Sequence, residues 1–598
     1  MTVSGLSVTI IFLQPSTESP FWWTGDARSG PGMTVVGWYD DIRVGYECCG
    51  GGMTVIGLGG WEFLFYICFV LNKPRYMKCY KGTVISVDSC DGVYEYLVED
   101  QGSILYIGND LPDQFADVEV VELGDRALIP AFVDTHQHFA SLSTFNAGLN
   151  VMEAESNEEI ARMIDEYAAK AKGRTIIAFG ASPHSVKEGR LIYREEIDAV
   201  CMGKEVMVVK YDGHACIVST PLLKKLDKKL CKLRGYHPDS GEMNQEAFFA
   251  CSDYISGSLS IPDLFRNMQN CTDYLASKGI GAVHTVSGVG FIANLDITIE
   301  KLFAKSLRNG FQIRVFPQAL NTKVAVSRRI PRIGGCFECA LDGCFGSRDA
   351  ALNEPYVDAE GGDGILYYSD EKVIDFCKKA NRLGLQIELH AIGDKAFDQA
   401  TRALKAALDD YPRNDHRHGI IHCCLPTEDG VAICREYGIQ MPVQSAFIGW
   451  KQEPDSYLEE LLGAERTARL NPIRSFADNG IVVSFGSDAP CTDPDPIQWI
   501  HRAVNHSNPD ERISVQQALR MATYNGAFTT FDEKERGSLE VGKVADMVIL
   551  SDNPYTTPLE NLKDIKVEEL ILSGRPYESA VSSLGRCILN GVFSQNKF

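Results

Sequence analysis

Basic residues are scarce relative to acidic ones: 58 lysines and arginines stand against 80 aspartates and glutamates, a formal charge of −22. That balance is wrong for gripping a phosphate backbone, so no nucleic-acid partner is expected. An uninterrupted apolar run of bilayer length is missing as well. The best candidate, Val55–Leu71, falls short of the ~20 residues a spanning helix needs and carries Glu62 inside it, so no membrane partner is expected. It also starts too far into the chain for an ordinary signal peptide. Cysteine is present but never dense: the 19 are diluted through 598 residues and include the adjacent pairs Cys48-Cys49 and Cys423-Cys424. Reduced thiols and a cytoplasmic location fit that pattern better than a disulfide scaffold. Cys336-x-x-Cys339 lacks a second CxxC at matching spacing, which places a zinc or iron–sulfur cluster well behind plain thiol packing.

The length calls for about three or four domain-sized units. Residues 1–76 are rich in glycine and aromatics, repeat Gly-Met-Thr-Val at 32–35 and 52–55, and show no clear amphipathic period. They read as a poorly ordered N-terminal extension, and Met77 is a credible first residue for the domain beyond it. Residues 77–127 hold short strands, Tyr80–Val87, Gly102–Gly108 and Val118–Leu123, punctuated by Gly and Asp. The same pattern returns within 536–598, in Ala545–Leu550, Val567–Ser573 and Cys587–Asn590. The two ends therefore read as one composite β-sandwich, its first part 77–127 and its second 536–598.

The organising stretch lies between them. An apolar run from Leu128 to Val133 reads as a buried strand that turns polar at Asp134-Thr-His136-Gln-His138. Histidines at i and i+2 on extended backbone face one side, so both imidazoles can meet one metal ion at about 2.0–2.1 Å. Further ligand candidates end later apolar strands in turn: His390 after Gln386-Ile-Glu-Leu, His422 after Gly419-Ile-Ile, and Asp488 after Ile481–Ser487. The C-terminal ends of strands are where parallel α/β barrels carry their sites, and the repeated placement is hard to explain as separate accidents. His284 sits mid-strand among apolar neighbours and reads as a core residue. His416 and His418 precede a strand and read as approach-loop residues.

These residues resemble the amidohydrolase superfamily, and more narrowly its YtcJ-like (amidohydrolase-3) branch. The narrower likeness rests on Asp212-Gly-His214, Leu341-Asp-Gly-Cys-Phe-Gly-Ser-Arg348, His390-Ala-Ile-Gly-Asp-Lys-Ala396 and Gly537–Leu550, in order, over roughly residues 77–580. The resemblance implies an α/β fold: a (β/α)8 TIM-like barrel over 128–535, the composite β-sandwich, and an inserted α/β lobe, 139–278, after barrel strand 1. The lobe is also legible directly, because a plain barrel loop would be far shorter and Ser156 caps a clear amphipathic helix within it. Many relatives place a bridging lysine four residues before the Asp-Gly; here that position is Glu338. The expected metal set is His136, His138, Glu338, His390, His422 and Asp488, holding one or two divalent ions, most simply Zn2+.

The implied reaction is hydrolysis of an amide-type C–N bond in a small, non-peptide molecule. Asp488 would move the proton, and His214 or His422 would steady the developing oxyanion; a turn-bound His214 is an equally good reading. A deaminase on the same fold is the alternative enzyme, disfavoured because Gly393 stands where deaminases usually carry Glu. A barrel that has lost catalysis and serves as a binding or assembly module is the other alternative. A homodimer is the family-level expectation.

Overall fold

The structure is a computed structural model that describes residues 9–11, 22–24, 77–171, 173–288, 294–357, 362–579, 585 and 589–591. It divides into two units, 1–77 and 78–598. In the first, Thr9–Ile11 pairs antiparallel with Trp22–Thr24; the expectation of a poorly ordered extension falls otherwise outside the described residues.

In the second unit, eight short strands run parallel: β1 (Phe132–Gln137), β2 (Ile280–Ser287), β3 (Gln312–Pro317), β4 (Arg332–Ala340), β5 (Gln386–Ala391), β6 (Gly419–His422), β7 (Met441–Val443) and β8 (Val483–Phe485). They are almost continuously apolar or buried because helices cover their outer side, as parallel sheets require. The helix Asp370–Arg382 shows how: Val373, Phe376, Cys377 and Ala380 recur at helical spacing and face the core. The hydrogen-bonded ladders among the described residues are β1–β2–β3, β4–β5–β6 and β7–β8, so no single ladder closes. Between ladders, β3 lies beside β4 and β6 beside β7. β8 returns to β1, where the Thr135 hydroxyl donates to the Phe485 carbonyl at 2.8 Å.

Strands from both ends of this unit form one seven-stranded sheet in the order Arg575–Pro576, Val567–Leu572, Met547–Leu550, Glu119–Pro130, Lys78–Ile85, Val93–Asp100, Ser103–Gly108. Two readings of the sequence change here. The run Leu128–Val133 is not one strand: Leu128 to Pro130 pair with Met547–Ile549, whereas the Phe132 N–H already donates to the Gly279 carbonyl. Both halves are buried in different sheets, and an unbroken apolar run cannot show where the change of partner falls. Leu589–Gly591 is helical, and the last strand of the sheet is Arg575–Pro576.

After β1 the chain builds a separate six-stranded sheet, centred on Glu205–Lys210 and Ala215–Val218. Alternation sends Met207 and Val209 to one apolar cluster and Val206 and Val208 to another. Helices Thr220–Leu230 and Gln245–Gly257 cover the first face; Asn157–Lys170 and Arg194–Val200 cover the second. Sandwiched this way, the lobe can present rigid side chains over the strand ends.

Candidate functional site

The C-terminal ends of β1, β4, β5, β6 and β8 converge on a cavity of about 140 Å3 that His138, Cys336, His390, His422 and Asp488 all line. Nε2 of His136 and of His138 each stand 3.2 Å from Oδ1 of Asp488, yet that oxygen makes no hydrogen bond. Cys336 Sγ sits 3.3 Å from His136 Nε2, 3.4 Å from His390 Nδ1 and 3.6 Å from His422 Nε2. Three overlapping sets, His136/His138/Cys336, Cys336/His390/His422 and His136/His422/Asp488, bring their ligand atoms within 4.8 Å of one another.

The rings are aimed by their second nitrogens. His422 Nδ1 donates to Gln444 Oε1 at 2.6 Å, and His390 Nε2 donates to the Gly343 carbonyl at 3.3 Å. Each bond fixes the tautomer that leaves a lone pair toward the cluster, the usual outer support of a metal-binding imidazole. Asp134 ties β1 to the end of β8: its carboxylate accepts from the Ser487 N–H at 2.9 Å and the Ser487 hydroxyl at 2.6 Å. Gly486 is needed there, since a Cβ would stand 2.6 Å from the His136 nitrogen.

Burial sets the electrostatics. It pushes His422 down to about 3 and His390 well below the ordinary histidine value, so both rings are neutral with lone pairs to offer. Burial also raises the Asp488 carboxyl, but its contacts with His136 and His138 outweigh this and hold it well below the usual carboxylate range. The backbone is strained in the same place: Phe337, His422, Cys423 and Asp488 adopt left-handed φ of 48°, 73°, 51° and 56°. Such residues cost on the order of 1–3 kcal/mol each and collect at functional sites.

Glu338 is corrected. It is exposed and does not line the cavity; Cys336, two residues earlier, holds the central position. Regular pleating would put residues 336 and 338 on one face, but Phe337 at φ 48° breaks the alternation. The β4–β5 ladder jumps from Gly335↔Leu389 to Ala340↔His390, so the intervening residues bulge out and Glu338 goes with them. Gly334 and Gly335, at φ 125° and 117°, are the sequence signal that could have announced the bulge. Cys339 is buried but belongs to none of the three donor sets, so the CxxC does not act as a pair.

His214 lines the same cavity, its backbone N–H held by Asp212 Oδ1 at 3.0 Å and its ring 5.9 Å from that of Phe337. The remaining histidines lie elsewhere. His284 meets the Thr530 hydroxyl at 3.0 Å in the core, and His418 is held by Asn381 and the Ile387 N–H. Among the described residues, no helix is long and apolar enough to cross a membrane.

Residues 119–577 match the family model described as "Amidohydrolase family". The putative amidohydrolase YtcJ of Bacillus subtilis (strain 168) is 21% identical over 519 residues, 81% of this chain and 93% of that protein. An N-substituted formamide deformylase of Arthrobacter pascens is 21% identical, covering 84% of this chain and 98% of its own length. The crystal structure of an uncharacterized metal-dependent hydrolase from Pyrococcus furiosus superposes with a TM-score of 0.65 at 24% identity, over 80% of this chain and all of that one, and so shares its fold.

Proposed function

This chain belongs to the amidohydrolase family, and we propose that it hydrolyses an amide-type carbon–nitrogen bond of a small, non-peptide molecule with the help of one or two zinc ions. The observation that carries this reading is the convergence of four imidazoles, one thiol and one carboxylate around Cys336 Sγ, from five strand ends widely separated in sequence. The donor set fits a metal. A buried carboxylate oxygen with two imidazole nitrogens at 3.2 Å brings together three donor atoms that one cation could take at once. Mixed nitrogen and sulfur donors favour zinc over magnesium, calcium or manganese.

We assign His136, His138 and Asp488 to one side of the centre and His390 and His422 to the other, with Cys336 between them. Zinc bound there supplies Lewis-acid polarisation of the scissile carbonyl and a nucleophilic water at neutral pH. Asp488, ionised by its surroundings, takes the proton of the attacking water and returns it to the leaving nitrogen. His214 faces the same space and donates to the developing oxyanion. Asp134 and Ser487 keep the β1 histidines and Asp488 in register. In fold terms, we read β1 to β8 as a (β/α)8 barrel ending near residue 535, with 139–278 inserted and the seven-stranded sheet as its composite partner.

A deaminase has little room here. A side chain at Gly393 would meet the Ala351 carbonyl oxygen at 2.1 Å, so no glutamate can stand three residues after His390. An inactive binding module would not need the full donor set. Metal analysis of the purified protein, together with turnover of N-formyl and N-acyl amines, tests the proposal. One or two equivalents of zinc with measurable hydrolysis are expected; an intact fold with no metal and no turnover overturns it.

A further inference from the structure

The cavity wall says what the non-reacting part of the substrate looks like. From the donor cluster outward runs a continuous series of rings. His422 stacks on Phe447 with centroids 6.0 Å apart and planes at 17°, and Phe447 stacks on Trp450 at 5.1 Å and 22°. Trp450 meets Tyr211 edge-on at 5.2 Å, and the Tyr211 hydroxyl donates to Glu453 at 2.8 Å. Facing this wall, the lobe contributes Ile177, Met207 and Phe248.

Charge is distributed as unevenly as polarity. The carboxyl side chains lining the cavity are Asp212, Glu453 and Asp488, with burial pushing Glu453 up to about 7; among the described residues, no lysine or arginine lines it. Lys210 pairs with Asp212, its Nζ 2.7 Å from Oδ2, so that each offsets the other's charge. Glu453 is packed in place, since a Cβ on Gly346 would meet its Oε1 at 2.3 Å. An anion on the part of the substrate held at the Phe447–Trp450 wall would lose its water and find no lysine or arginine lining the cavity to replace it, and an uncompensated buried charge is among the costliest arrangements in a protein. A flat apolar group would instead gain ring contacts along the Phe447–Trp450 wall.

Resting on the hydrolase reading above, we infer that the substrate is an amide whose substituent is flat, apolar and free of negative charge, held against Phe447 and Trp450, where no lysine or arginine of the lining can compensate a carboxylate on that substituent.

The test is a matched pair assayed on the full-length, zinc-loaded protein: an N-formyl arylalkylamine and its twin with a carboxylate on the aromatic ring. The neutral amide should have a kcat/KM at least about a hundredfold higher. Trp450→Ala, or Phe447→Leu should that variant fold poorly, should raise KM for the arylalkyl amide about tenfold while leaving a short alkyl amide unchanged. Equal turnover of the twins, or ring variants that affect both amides alike, overturns the inference. If neither twin is hydrolysed, calorimetric binding to the zinc-loaded Asp488→Asn variant separates the two readings. Binding of the neutral twin alone keeps the inference while the hydrolase reading falls; binding of both, or of neither, overturns it.

Discussion

Two His-x-His pairs with the same spacing stand at opposite ends of the parallel strands, and both are buried. In His416-x-His418 every ring nitrogen is occupied. His416 Nδ1 accepts from the His418 N–H and its Nε2 donates to the Tyr437 carbonyl; His418 Nδ1 accepts from the Ile387 N–H and its Nε2 donates to Asn381 Oδ1. In His136-x-His138 both Nε2 atoms instead face Asp488 Oδ1 at 3.2 Å, and His136 Nε2 also meets Cys336 Sγ at 3.3 Å. Spacing is therefore not what makes a ligand pair. The approach to β6 runs past helix ends and loop amides that use up the imidazoles, whereas the end of β1 opens on a cavity where the neighbours are other donors.

The sharpest way to break this contrast is at the carboxylate. Asp488→Asn keeps size and removes the proton acceptor, so kcat should fall roughly 10³–10⁴-fold with circular dichroism unchanged and the metal largely retained; a variant with near-wild-type turnover would remove Asp488 from the mechanism. Next comes the donor at the centre. Cys336→Ser should lower zinc stoichiometry and activity by at least about tenfold, whereas Glu338→Gln should leave both within error and shift stability by no more than about 0.5 kcal/mol. The reverse result would restore Glu338 as the bridging residue.

The third contrast compares the pairs directly. His136→Asn should lose metal on dialysis with little change in unfolding midpoint. His418→Ala should keep its metal but lose about 1–3 kcal/mol in denaturant unfolding, because the Ile387 N–H is left unpaired inside and Asn381 Oδ1 keeps only its bond from Arg413. The smallest effect is on pH. Burial holds His418 and His284 well below the ordinary value near 6.5, so each is neutral in the folded state. Below about pH 6.5 these two imidazoles bind protons in the unfolded chain that they do not bind in the folded one, so their contribution to stability should be flat above that pH and fall toward pH 5, against the opposite drift from Asp342 and Glu388, which burial pushes up to about 8. The slope should be at most about 1.4 kcal/mol per pH unit for each histidine. In His418→Ala the slope should be shallower, as followed by thermal unfolding across the range.

How much of this was legible in the sequence depended on backbone regularity. His390, His422 and Asp488 each come at the end of a short apolar strand, and the strands hold their period up to those residues, so position alone anticipates their convergence. Cys336 escaped because β4 abandons its pleat at Gly334-Gly335-Cys336-Phe337. Counting residues back from Asp342 then lands on Glu338, on the outside of the bulge. Gln444 was invisible for another reason: its role is a hydrogen bond to a ring 22 positions earlier, which no local pattern encodes. The split of Leu128–Val133 between two sheets was hidden because hydrophobicity reports burial, not the identity of the partner.

The seven-stranded sheet places a demand on synthesis. Its central strand, Glu119–Pro130, has Lys78–Ile85 on one side almost as soon as it is made, but its other neighbour is Met547–Leu550. Throughout translation of everything between, that edge leaves the ribosome with bare amides and carbonyls, an open template for a wrong strand. Release before residue 550 leaves a product that cannot complete its own sheet.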